Sequence, residues 1–582
     1  MAKRWHEIIW ACLLTPAMLA WFWLPSPVYA VEAAPVPFEL RQPDGRTFRA
    51  KARGDEWQNW TETLDGYSIL QDARTGQWLY LERNPADRVV ASERVVGRDL
   101  PVGIPRHLRP LAPPPAAPGK LGPAVLGVQA PPAPGAQRIL VIVADFTPTQ
   151  SLGTTEAEWN KFFFVGGGTT TPTSLKQYWD TVSYGTITVQ PAAETYGTAD
   201  NGIVFVTLNY AHPNPATTGD ANRQITRDAL IAADPYVNFA SFDTNADGYL
   251  NDDEVHVAIV VRGYEGAYGG SSACADSGKV WAHSWSLYGA VPAPTLDGVV
   301  VGYYAGAPGS GYRGGYTQEG EWHCATWDSP GHMATIGPAT HEIGHDLGRI
   351  TMPDLYDTDG SSEGVGAWSL QGGGSWNSIS AYAGTHPAFP DPWERWFFGF
   401  ITPTEITASQ GVSLPQIETA SGADRGVFQL RSNPNGVDWQ GTPGTGEYFL
   451  VENRQQAGYD AGLPGTGLLI WHIDESAADN EGEGTSPPGN RRIVVLEQAD
   501  GRYDMECYAN PPYASLCNSG DSTDPWKVGT AISFGDGTTP NSRLYDSTSS
   551  GVSVTNIGVS GTTMTATLAP AFRKRKGQLV SE

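Results

Sequence analysis

Apolar positions along the chain fall into distinct patterns, and each predicts a different kind of element. Between Arg138 and Phe146 the residues Ile139-Leu140-Val141-Ile142-Val143-Ala144 form an unbroken apolar run, the pattern of a strand covered on both faces. Residues 255–261 repeat it. Amphipathic spacing over 156–164, 174–183 and 221–233 predicts helices in the same region, and a short histidine-bearing helix follows near residue 341. Strands and helices mix here without strict alternation, which argues for an α+β domain. The flanks differ. Residues 37–100 alternate in short runs punctuated by Gln42-Pro43-Asp44-Gly45, Gly54-Asp55-Glu56-Trp57 and Asp65-Gly66-Tyr67, predicting the hairpins of a small β domain. From 401 to 569 nearly every apolar run is strand-sized and bounded by Gly, Asp, Asn or Ser, predicting an all-β, sandwich-like domain.

A chain of 582 residues exceeds a single core, and these patterns divide it. Residues 1–30 read as a signal peptide: Lys3 and Arg4 precede an apolar stretch, Pro25 and Pro27 interrupt it, and Val28-Tyr29-Ala30 ends in a small residue suited to cleavage. A membrane anchor is the alternative, because Trp10, Trp21 and Trp23 lengthen the stretch. No second run is long enough to span a bilayer, so no stable membrane insertion is expected after cleavage. Residues 101–135, dominated by Pro, Ala and Gly, have the composition of an extended linker. The β unit at 31–100, set between signal and linker, reads as a propeptide. Residues 136–400 then form the α+β domain, 401–570 the β-rich domain, and 571–582 a short basic tail.

Charge narrows the partners. A formal net charge of −25 excludes nucleic acid, which needs a surplus of Lys and Arg, and suits a secreted, extracellular protein that binds Ca²⁺. Cys12 falls in the signal, leaving Cys274, Cys324, Cys507 and Cys517, an even number that predicts disulfides in an exported chain. Three pairings are possible. Proximity favours Cys507–Cys517, which leaves Cys274–Cys324.

The chemistry is concentrated at His341-Glu342-Ile343-Gly344-His345, the one H-E-x-x-H in a chain with only 11 histidines. On a helix, residues four apart share a face, so both imidazoles can reach one zinc ion while Glu342 acts as general base toward a water. Pro338 suits the helix start and Gly348 its end. Gly348 also permits the chain to fold back beneath the metal, as in the longer pattern H-E-x-x-H-x-x-G-x-x-(H/D). The position expected for a third ligand holds Thr351, a poor zinc donor. Asp354, Asp357 and Asp359 come next, and Asp354 is the first choice, with a turn aspartate as the plain alternative.

These residues resemble the immune inhibitor A family of secreted bacterial metalloproteases. Its block H-E-x-G-H-x-L-G-L-P-D-x-Y-D is matched at 341–348 and again by Met352-Pro353-Asp354-Leu355-Tyr356-Asp357. Similar blocks are Asp359-Gly360-Ser361-Ser362-Glu363-Gly364-Val365-Gly366-Ala367-Trp368-Ser369-Leu370, Gly374-Ser375-Trp376, Glu447-Tyr448-Phe449-Leu450-Val451-Glu452-Asn453-Arg454 and the run 465–474. The resemblance implies a metzincin-like catalytic domain, one catalytic Zn²⁺, calcium, and an amino-terminal propeptide. Two features depart from it: Arg349-Ile350-Thr351 looks inserted, and the methionine-turn position below the zinc holds Gln371.

A second motif is independent of the first. Asp243-Thr244-Asn245-Ala246-Asp247-Gly248-Tyr249-Leu250-Asn251-Asp252-Asp253-Glu254 fits the twelve-residue calcium loop, with Asp243, Asn245, Asp247, the Tyr249 carbonyl and Glu254 as ligands of at least one structural Ca²⁺. A strand follows it, so it is a loop mimic and not a helix–loop–helix. Asp500, Asp521 and Asp524 form a weaker acidic group. His283 and His472 lie in aromatic strands and read as core histidines, while His386 and Tyr382 are open candidates to stabilise an oxyanion. The expectation is a secreted zinc endopeptidase acting on proteins or peptides, made as a zymogen whose own propeptide inhibits it. With no Cys in residues 31–135, that inhibition needs an Asp or a steric plug. The alternative is a catalytically degenerate, calcium-stabilised extracellular binding protein on a protease fold.

Overall fold

The computed structural model describes residues 29–56, 58–109, 132, 134–215, 218–270, 274, 277–287, 291–302, 314–326, 329–348, 352–357, 362–431, 446–477, 479–480, 491–506 and 518–570. Residues 1–28 of the expected signal, most of the expected linker, the basic tail, Cys507 and Cys517 lie outside them. The architecture is mixed α and β, with many strands and few helices.

The unbroken apolar run forms the strand Gly135–Phe146 in the interior of the largest sheet. Ile187–Pro191, Ile203–Leu208 and His256–Glu265 pair with it in parallel, and Tyr316–His323 extends the parallel order beyond His256–Glu265. His283–Trp285 then pairs antiparallel on that side. Parallel strands are covered on both faces, which is why alternation disappears from their sequence. Ile139, Val141, Val143, Ala258 and Val260 pack into one core with the helices α1 (Glu156–Asn160), α2 (Leu175–Val182) and α4 (Ile336–Leu347). Leu140, Ile142, Ala144, Val257, Ile259 and Val261 pack into another with α3 (Asp220–Ala233). Thr155 and Ser174 begin α1 and α2 with reciprocal side-chain caps to Glu158 and Gln177.

Downstream, two sheets face each other. Thr404–Ile406, Phe428–Leu430, Glu447–Arg454, Gly467–Asp474 and Val494–Leu496 form one. Gln410–Pro415, Thr563–Ala569, Ser553–Thr555 and Phe534–Gly535 form the other. Phe449, Val451, Leu468 and Ile470 fill the space between them with Leu414, Phe534, Val554, Met564 and Leu568. The opposite face of the first sheet presents Tyr448, Leu450, Leu469 and Trp471 to the core that contains α2, α4 and α5 (Pro392–Phe397). Apolar packing therefore continues across residue 400. Buried charges reinforce the seam: Arg395 of α5 meets Glu452, and Arg454 meets Glu452 at 3.1 Å and Asp460 at 2.5 Å, all fully buried. Removing one partner of such a pair costs about 3–5 kcal/mol, so these strand charges serve the fold.

The amino-terminal β unit is a six-stranded antiparallel sheet running in chain order from Phe38–Arg41 to Val89–Val95. Its core contains Phe38, Leu40, Ala50, Ile69 and Tyr80, and also Ile104 and Leu108, so this unit extends past Leu100. Cys274 and Cys324 are joined by a disulfide.

Candidate metal centre

Helix α4 is buried on every side. It starts at Ile336, two residues before Pro338, whose missing N–H costs nothing in the first turn. It stops at Gly348, whose N–H donates to the Gly344 carbonyl at 3.0 Å. A Cβ on Gly348 would stand 2.7 Å from that of Met352, so glycine is what lets the chain fold back there. Residues 349–351, the apparent insertion, are outside the described residues. By Asp354 the chain has returned beneath the helix.

Three donor atoms converge. His341 Nε2 and His345 Nε2 are 3.1 Å apart, and Asp354 Oδ1 lies 3.0 Å and 3.2 Å from them. Around a tetrahedral zinc with bonds of about 2.0–2.2 Å, neighbouring donors stand about 3.3–3.5 Å apart. Two imidazoles and a carboxylate at nearly this spacing fit a zinc ion in donor type and in size. The outer contacts fit as well: His341 Nδ1 faces the Leu370 carbonyl at 2.9 Å and His345 Nδ1 the Met352 carbonyl at 2.8 Å. Donation from Nδ1–H leaves each Nε2 lone pair for a metal. Asp357 is buried elsewhere, beside Arg492, and Asp359 is outside the described residues.

Gln371 forms the floor. Its Nε2 lies 3.0 Å from His345 Nε2 and 3.1 Å from Nδ1, so the amide rests against the ring at the position where the resemblance implied a methionine. Gly344 makes room, since a Cβ there would meet Gln371 Oε1 at 2.9 Å.

Glu342 is fully buried. Burial first, and then the Asp354 carboxylate, push its proton affinity well above the usual carboxylate range. Its Oε1 accepts the Val31 N–H at 2.7 Å. That contact belongs to a segment which the sequence did not bring to the site. Tyr29–Ala30 adds antiparallel to His283–Trp285 as an outer strand, and Tyr356 donates from its hydroxyl to the Ala30 carbonyl. The Trp281 and Trp376 indole N–H groups donate to the carbonyls of Val31 at 2.7 Å and Glu32 at 2.9 Å. Val31 and Ala34 are buried against Ala267, Tyr268, Ala282 and Trp376. Farther along, Arg53 bonds Glu363 at 2.8 Å, and Glu56 is buried with Asp55, Asp354 and Glu342 as charged neighbours. The tryptophans at 281 and 376 and the tyrosine in Leu355-Tyr356-Asp357 were the available sequence signals, but none names its partner.

The loop at 243–254 closes on its own amides. Glu254 accepts from Thr244 and Asn245 at 2.8 and 3.2 Å through Oε1 and from Asn251 at 3.2 Å through Oε2. Asp243 accepts from Asp247 and Gly248, Asn245 from Asp247, and Asp247 from Tyr249. Among the described residues, Asp243, Asp247 and Glu254 do not converge as the zinc-type donors do. Two other groups do: Asp252, His256 and Asp346, and Asp500, Asp521 and Asp524. In the first, His256 bridges Asp346, next to His345, and Gln137 at 3.0 Å, which anchors the end of α4 to the sheet. His283 is buried and held to low proton affinity, about 4, by that burial. His472 is buried between Glu447 and Glu497. His386 bonds Thr385, and Tyr382 lies over His332.

Residues 160–399 match the family model described as immune inhibitor A peptidase M6, catalytic domain. Immune inhibitor A of Bacillus thuringiensis subsp. alesti is 31% identical to this chain over 242 residues, covering 39% of the chain and 31% of that protein. The chain thus spans about a third of the relative's length. The matched segment holds α2 to α5, both histidines, Glu342 and Asp354, and no helix among the described residues is long and apolar enough to cross a membrane. The resemblance carried by the sequence blocks at 341–376 is borne out: over residues 160–399 this chain matches the catalytic domain of the immune inhibitor A peptidases.

Proposed function

We propose that the protein is a secreted zinc endopeptidase, with a metzincin-like domain at 136–400 and a β-rich domain at 401–570, made as a zymogen. The convergence of His341, His345 and Asp354 beside Glu342 carries this reading. Zinc held by those three side chains would supply polarisation of a peptide carbonyl and a water whose pKa is lowered to about 7. The chain does the rest. Leu370 and Met352 fix the two imidazoles, and Gln371 supports one of them from below. Glu342, short of solvent and beside Asp354, is disposed to take a proton at a carboxylate oxygen and release it to a leaving amine. Calcium at 243–254 is supported by the loop's sequence pattern, and export by residues 1–30.

The test is zinc content and casein hydrolysis of the purified, processed protein. One zinc per chain, with activity lost on chelation and restored by zinc, is expected. Folded protein that binds no zinc would instead favour an extracellular binding role.

The amino-terminal β unit, residues 31–100 with the Ile104 and Leu108 that complete its core, is proposed as the propeptide, and its first residues as the plug. Val31 lies on the general base, and the carbonyls of Val31 and Glu32 are held by Trp281 and Trp376, so this segment sits where a substrate backbone would compete for the same groups. Arg53–Glu363 tethers the domain that carries it. Deleting residues 31–34 from the unprocessed chain is expected to raise its basal proteolysis at least several-fold without changing zinc content. Equal activity with and without the segment would remove the plug from the account.

A further inference from the structure

The second acidic group lies in the β-rich part, on two loops. Asp500 and Asp504 come from one, Asp521 and Asp524 from the other, and oxygens of Asp500, Asp521 and Asp524 lie within 4.8 Å of one another. Asp504 joins them as a charged neighbour of Asp500 and Asp521. Few donors answer these carboxylates. Asp524 Oδ2 accepts the Asp521 N–H at 2.6 Å, and Asp500 Oδ1 the Arg502 N–H at 2.9 Å. The Thr523 hydroxyl stands 2.7 Å from Asp500 Oδ2 and 2.6 Å from Asp521 Oδ1, but it has one proton for both. Asp521 Oδ1 also accepts the Thr523 N–H.

Two observations go beyond clustering. Asp524 is fully buried and Asp504 is 2% exposed, and the Oδ1 atom of each has no hydrogen-bond partner. A buried carboxylate oxygen without a donor is costly unless a cation meets it. Among the described residues, the cationic side chain found at the group is Arg502, 3.5 Å from Asp500 and half exposed. Residues 507–517, which join the two loops, contain no Lys or Arg.

We propose that Asp500, Asp504, Asp521 and Asp524 bind one Ca²⁺ ion that clamps the loops at 500–505 and 518–524 together. The donors are all oxygen, with no imidazole or thiol, which selects a hard cation. Irregular loops with four carboxylates suit Ca²⁺, which accepts six to eight oxygens, better than octahedral Mg²⁺. Without a cation, burial and the neighbouring aspartates raise Asp524 to about 8, so a proton is the competitor for the site.

The clamp reaches the metal centre through the backbone. Met505 and Ser519 accept the N–H groups of Glu363 and Ala367 at 2.8 and 2.7 Å, and the Ser519 hydroxyl donates to Glu363. That segment continues to Leu370, whose carbonyl orients His341. The four aspartates are thus positioning residues, and the proposal stands whether or not His341 and His345 hold zinc.

The experiment is Ca²⁺ binding by equilibrium dialysis on the full-length chain, with thermal melts at each Ca²⁺ concentration. The paired variant Asp521→Asn/Asp524→Asn is expected to bind one Ca²⁺ fewer per chain than wild type and to lose part of the calcium-dependent rise in melting temperature. Glu254→Gln, in the other loop, should keep that increment. Should the paired variant not fold, Asp500→Asn at the rim is expected to weaken the same site about ten-fold or more. Unchanged stoichiometry in the paired variant, or unchanged affinity in Asp500→Asn, overturns the assignment.

Discussion

Glu342→Gln is expected to abolish measurable casein hydrolysis by the processed protein while leaving one zinc per chain. Glutamine keeps the size of the side chain and an oxygen that accepts the Val31 N–H, so the helix and the propeptide contact survive the change. What it loses is the ability to take a proton. Positioned acid–base groups contribute about 10²–10⁴-fold, and the loss should appear in kcat with little change in KM, because the carboxylate acts on the reacting water and not on substrate binding. Retained turnover with full zinc would assign the base elsewhere.

Asp354→Ala is expected to lower zinc affinity by more than the ~10–100-fold that loss of an outer partner costs, with hydrolysis falling in step. Its Oδ1 is the oxygen that faces both Nε2 atoms. Burial by itself would raise the aspartate's proton affinity, yet His345 and then His341 hold it below the ordinary carboxylate range, the signature of a carboxylate kept ionised by its neighbours. Asp357→Ala is the control, expected to leave zinc bound because that side chain lies by Arg492. Isothermal titration with zinc into the chelator-stripped proteins separates the two. Equal affinity in Asp354→Ala and wild type would return the third ligand to the residues around 358–361.

How far the sequence reached depends on the span of each interaction. The histidine helix was legible because its geometry is local: residues four apart share a face whatever surrounds them. The buried strands at 138–146 and 255–261 were legible because cover on both faces erases alternation, and they became Gly135–Phe146 and His256–Glu265. The pairing Cys274–Cys324, which is what remains when proximity is given to Cys507 and Cys517, is present, and the expected pairing of Cys507 with Cys517 falls outside the described residues. Asp354 was one of three candidates, since the expected position holds Thr351 and only the returning chain decides which carboxylate meets the imidazoles.

The calcium loop shows the limit of a complete motif. Every ligand type is in place, yet Glu254 is turned onto the amides of Thr244, Asn245 and Asn251. The weaker acidic group holds carboxylate oxygens without a donor at Asp504 and Asp524, and Asp504 joins it through folding alone. The contact between Val31 and Glu342 spans 311 residues. No periodicity or spacing encodes such a meeting, because it is fixed by the sum of packing between two separately patterned units. By itself the sequence determined which side chains could do chemistry on one helix; the tertiary structure decided which carboxylate joins them and what lies over them, because those contacts are made only after the sheets and helices have packed.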